Sequence, residues 1–203
     1  MNNWPGWQQW YEIAEAPVLR QGDILRGLLV YWFPQTLPVL ANDPPDGHVA
    51  VDAAWDRGTW IIMSASCDVE RPSRAYAQVV IGRVLPATRD TLHQQNDDEL
   101  RTRLEVLRQG HVSVFLLAPH PTFEPAFPLS FVDWKTHLTM PAYYIRNAVG
   151  VRPRLRLNSP FRESFGNWVG GNFQRVGIEN DLQMPRFRPQ IFPEHILRAE
   201  PEE

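Results

Sequence analysis

The chain has 203 residues, 43% of them hydrophobic and 21% charged, with a net charge of −3. That balance excludes wholesale disorder and suits one substantial core, and no apolar run reaches the roughly 18 residues a membrane helix needs. The N-terminus lacks a basic start and apolar stretch, and the only cysteine, Cys67, excludes internal disulfides and multi-cysteine zinc sites, so a cytoplasmic protein without membrane contact is expected.

Trp4, Trp7, Trp10 and Ile13 recur every three residues behind Asn3 and Pro5. The spacing predicts a short helix with three indoles on one face, more often a flap docked on the body than a ligand cage, and a partner-binding face where undocked. Gln21-Gly22-Asp23 signals a turn before Ile24–Phe33, an apolar run that predicts a long strand ending at Pro34. Proline, asparagine and aspartate then dominate Pro34 to Gly47, which reads as a loop. His48–Ala54 reads as a short strand and Asp56-Arg57-Gly58 as a hairpin-like turn.

Trp60-Ile61-Ile62-Met63 is continuously apolar, as a buried central strand would be, and runs straight into Ser64, Ser66, Cys67, Asp68, Arg71 and Arg74. Tyr76–Leu85 predicts the next strand, closed by Pro86. Asp97 and Asp98 open a segment with Leu100, Leu104 and Leu107 on one face and Gly110 just beyond, which predicts an inserted helix over about 97–109. Val112–Leu117, Leu129–Trp134 and Ala142–Ile145 read as strands around the proline-rich His120–Pro128 loop, and Val151–Asn158 as an arginine-bearing edge strand. Ser159-Pro160 starts a second helix over about 160–176, with Phe161, Phe165, Trp168 and Val169 at helical spacing. Short strands in quick succession predict a mainly β, α+β protein built on a small antiparallel barrel, with residues 1–180 as one domain and 181–203 as a proline-rich, charged tail.

Candidate chemistry gathers after the central strand. Cys67 is a potential thiol nucleophile if a base such as His120 or His137 reaches it, with Asp68 or Asp133 orienting that base; burial as a small apolar side chain is the commoner role. Asp68 and Asp23 are equally suited to capping turns. The six histidines lack ligand spacing, so no metal or other cofactor is expected. Arg71 and Arg74, with Arg152, Arg154 and Arg156, are candidates for a phosphate or acidic-partner surface, although a solvated face paired with carboxylates explains them as well. Nucleic acid is possible but disfavoured by the negative net charge.

Gly22-Asp23-Ile24, Ser64-Ala65-Ser66-Cys67-Asp68, Ser159-Pro160-Phe161-Arg162-Glu163 and Arg175-Val176-Gly177 follow one another in a pattern that resembles an uncharacterised bacterial family found among mobile and defence-associated loci. The first half also resembles the PemK/MazF fold, an SH3-like barrel, through Gly22-Asp23-Ile24, Pro34 and Ile61-Ile62-Met63-Ser64. The resemblance implies an SH3-like antiparallel barrel with appended helices. It implies an accessory component of a CRISPR-associated or toxin-antitoxin-like locus with a protein partner encoded beside it. The expectation is a non-enzymatic binding or adaptor protein using Trp4, Trp7, Trp10, Arg71 and Arg74. The alternative is a MazF-like endoribonuclease or Cys67-dependent hydrolase drawing on Ser64, Cys67, Asp68, Arg74 and His120. In that toxin family an arginine-proline pair precedes the serine-ending strand, whereas here Arg71-Pro72 follows it.

Overall fold

The computed structural model describes residues 6–15, 18–32, 54–66, 69, 78–150 and 152–175. Seven antiparallel strands form one sheet: β1 (Tyr11–Ala14), β2 (Asp23–Trp32), β3 (Ala54–Ile62), β4 (Gln78–Pro86), β5 (Val114–Leu117), β6 (Ser130–Pro141) and β7 (Arg154–Leu157), in the order β1-β7-β2-β3-β4-β6-β5. Among the described residues four helices flank it: α1 (Trp7–Trp10), α2 (Asp97–Arg108), α3 (Ala142–Val149) and α4 (Phe161–Arg175). The architecture is α+β, with the two predicted longer helices where their caps and apolar spacing place them.

Alternation along the central strands splits the core in two. Ile24, Ile61 and Val132 face α4, where Phe161, Phe165 and Trp168 complete a cluster with Phe115. Leu25, Trp60, Ile62 and Ile81 face the opposite way and bury Ala142, Ile145 and Val149 of α3. A smaller cluster sets Leu107 of α2 against Val114, Leu116 and Phe131. Asn96 caps α2 by accepting from the Glu99 amide at 2.9 Å, while Glu99 reaches back to the Gln95 amide at 2.9 Å.

Six expectations are corrected. The sheet does not close into a barrel among the described residues: β1 and β5 are its outer strands. Their ends meet through a side chain instead, the Tyr11 hydroxyl donating to the Ala118 carbonyl at 2.7 Å, and aromatic rings occupy the space a closing ladder would need. The predicted N-terminal helix is one turn long, because Tyr11–Ala14 pairs with β7 and tertiary pairing overrides the three-residue spacing. Trp10 is therefore no docking residue: it is 1% exposed and stacked on Phe161, ring centroids 4.0 Å apart. Ala142–Ile145 is helical, since Ala142, Ile145 and Val149 share one face.

β7 is not an edge strand but lies between β1 and β2, all four of its residues buried. Asp56-Arg57-Gly58 makes no turn and runs inside β3. Gly58 leaves room for the Arg83 guanidinium, which pairs with Asp56 and lies 5.0 Å from the centroid of the Trp60 ring; a Cβ at position 58 would make that side chain shift.

Candidate functional site

β2 outlasts one of its two partners. It pairs with β7 only at Asp23 and Ile24, because Pro153 precedes the first residue of β7, whereas its pairing with β3 runs on to Trp32. From Leu25 onward no described strand covers this side of β2. The edge begins at a bulge: Leu25 faces Trp60 and Leu28 faces Gly58, so Arg26 and Gly27 together stand opposite one residue. Gly27 takes φ +67, a conformation that only glycine adopts readily.

The free edge forms the floor of a groove of about 690 Å³. One wall is α3 and the chain after it, with Tyr144, Val149 and Arg152; the other is the Phe123–Pro125 segment. Tyr144 fixes the first wall by donating its hydroxyl to the Leu29 carbonyl at 2.6 Å. Arg26 fixes the second: it donates to the Pro125 carbonyl, and its guanidinium lies 5.6 Å from the centroid of the Phe123 ring.

Four arginines line this groove, Arg26, Arg57, Arg152 and Arg154, against one acid, Glu124. Arg57 and Arg152 are exposed, and among the described residues neither they nor Arg26 ion-pair with a carboxylate. Burial lowers the pKa of Arg26, which nonetheless stays protonated at any ordinary pH. Burial also raises the Tyr144 phenol, Tyr31 adds to that, and Arg57 opposes it. Beyond the groove, Tyr31 stands opposite the exposed Trp55 and packs edge-on against Tyr144 at 6.4 Å.

Arg154 is different. With Arg156 it closes on Asp23 in the interior, where the carboxylate is 0% exposed and the two arginines 3% and 6%. Asp23 accepts from Arg154 Nε at 2.7 Å, from Arg156 Nε at 2.5 Å and Nη2 at 3.0 Å, and from the Arg20 amide at 3.1 Å. Both guanidinium groups also donate to the Val18 carbonyl. Hydrogen bonding to Asp23 holds the Arg156 pKa above its ordinary value despite burial. The expected turn-capping role of Asp23 is present, within a larger charge cluster.

Of the candidate chemical residues, Ser64 lies just beyond β3 and its Oγ accepts from the Val80 amide at 2.8 Å, tying β3 to β4. Ser66 Oγ accepts from the Gln21 amide at 3.2 Å in the same way. His120 sits opposite Phe127 in an isolated bridge, buried against Tyr11 and Phe123, and burial lowers its pKa. His137 belongs to β6, its Nδ1 2.6 Å from the Trp134 carbonyl, and Asp133 accepts from the Lys135 amide at 2.9 Å. Cys67, Asp68, Arg71, Arg74 and Trp4 lie outside the described residues, as does the side chain of Trp7. Among the described residues no group of three or more histidines, cysteines or carboxylates could hold a metal ion, and no helix is long and apolar enough to cross a membrane.

Arg26 and Arg57 escaped the sequence reading. Arg57 lies in the segment expected to turn, and Arg26 within the run Ile24–Phe33 expected to be a plain strand. The signal that could have found them is Arg26-Gly27 inside an apolar run, since a glycine there marks a bulge. Compared with known proteins, the chain matches no family model, no curated protein and no solved structure.

Proposed function

We propose that the protein is a non-enzymatic binding or adaptor module, an accessory component of a bacterial defence locus that works through contact with a protein partner encoded nearby. The observation that carries this reading is the groove on the free edge of β2, where three arginines without a carboxylate partner among the described residues surround an open cleft. Charge left uncompensated on a protein of net charge −3 is a local device, and it favours an acidic partner surface. The Ser64 oxygen accepts from the Val80 amide, as a structural hydroxyl does, which favours the adaptor reading over the hydrolase alternative. An SH3-like ancestry of the coiled sheet, starting at Gly22-Asp23-Ile24, belongs to the same proposal.

Co-expression with each neighbouring gene product, followed by size-exclusion chromatography, tests it. A stable complex is expected with one neighbour and is lost in the Arg57→Glu/Arg152→Glu variant. Free protein with every neighbour, or a complex indifferent to the double charge reversal, overturns the reading.

A further inference from the structure

We infer that the partner enters this groove as an extended acidic segment that adds a strand to the free edge of β2. The inference rests on the adaptor reading above and names its binding mode. Its first support is the edge itself: β2 continues to Trp32 with β3 on one side and no described strand on the other beyond Ile24. Such an edge offers a row of main-chain donors and acceptors to another chain.

Backbone orientation is the second support. The Leu29 carbonyl faces the groove, since the Tyr144 hydroxyl reaches it there, and an added strand would take the place of that hydroxyl. In an antiparallel ladder alternate residues present both polar groups to the same side, so Tyr31, beyond the groove, presents its own along the same edge. Side chains supply the third. An added strand would lie about 5 Å from β2 and about 10 Å from β3. Arg57, on β3, can span that second distance only by meeting a long acid, which favours glutamate over aspartate. Arg152 also lines the groove and adds a second cation for the acids of such a segment. The apolar lining by Leu28, Phe123 and Val149 suits β-branched residues between the acids.

The chemistry therefore reads as alternating glutamate and valine-like residues, and a fluorescein-labelled ten-residue Val-Glu repeat is the probe. Fluorescence polarisation with the full chain should show saturable binding, weakened at least tenfold by the Arg57→Glu/Arg152→Glu pair. Two further peptides carry N-methyl groups on every second residue, one for each phase. The phase that loses its donors toward β2 should also bind at least tenfold more weakly, and amide exchange over residues 25–32 should slow on binding of the parent peptide. Equal binding of all three peptides overturns strand addition, because charge alone would then suffice. So does absence of saturable binding, or tighter binding and displacement by decathymidylate. Peptide failure beside a partner complex that charge reversal breaks removes strand addition and leaves the adaptor reading standing. A partner complex that charge reversal leaves intact removes both.

Discussion

Arg152 and Arg154 are two residues apart and do opposite work. Arg154, with Arg156, is shut inside the protein around Asp23, where both guanidinium groups donate to the carboxylate and to the Val18 carbonyl. Arg152, with Arg26 and Arg57, borders an open groove whose only acid is Glu124. Burial separates the two sets. A guanidinium out of water must be matched by a carboxylate and carbonyls, and once matched it is a structural joint holding β7 to β2. At the surface the same group costs little to leave unmatched, and so remains available to a ligand.

The comparison is most sharply tested at Asp23. Asp23→Ala leaves two buried cations without their shared anion and should cost about 3–5 kcal/mol, read from urea denaturation. Adding Arg154→Met and Arg156→Leu should recover much of that loss, since an apolar replacement of similar volume removes the uncompensated charge. If the triple variant is no better than the single one, the cluster is not acting as an isolated charge joint. Next in size is Tyr144→Phe, which deletes the bond to the Leu29 carbonyl and should cost about 1 kcal/mol by the same measurement.

His120 presents a third answer to burial, an imidazole held neutral. Its pKa is lowered from 6.5 chiefly by desolvation. The unfolded chain therefore takes up this proton first, so the associated stability is complete above about pH 6.5 and is lost as pH falls through the window below it. The urea midpoint should drop between pH 7 and pH 5, and His120→Gln should flatten that drop. His111, lowered by its own burial and by Arg103, contributes in the same direction. Smallest of all, Arg57→Ala and Arg152→Ala should each change stability by no more than about 0.5 kcal/mol, because both side chains are exposed and neither holds a carboxylate among the described residues. A larger loss at either position would place it with the buried set.

The sequence made the two longer helices legible because each carries its own evidence: acidic first turn, leucines on one face and Gly110 for α2, and an aromatic stripe for α4. The central strands were legible for the same reason, in their apolar runs and β-branched content. What it concealed depends on contacts between distant segments. Arginines alternating along residues 152–156 look alike until Asp23, more than 130 residues away, pairs with two of them. The Asp56-Arg57-Gly58 segment carries turn chemistry but serves as a socket for Arg83. The short run Ala142–Ile145 has no period of its own to separate strand from helix, and its docking on the sheet decides. The groove was hidden because an unpaired edge is defined by which strand stops short.

The bulge at Arg26-Gly27 also bears on how this surface could arise or be lost. Removing Gly27 would leave Leu25 opposite Trp60, Arg26 opposite Thr59 and Leu28 opposite Gly58, an uninterrupted ladder with every later partner unchanged. A single-codon deletion would thus keep the pairing of β2 with β3 in register while it removes the bulge and straightens β2. The register of the ladder and the shape of the proposed docking edge are therefore separable in this chain, since one codon sets the bulge and none of the later pairs.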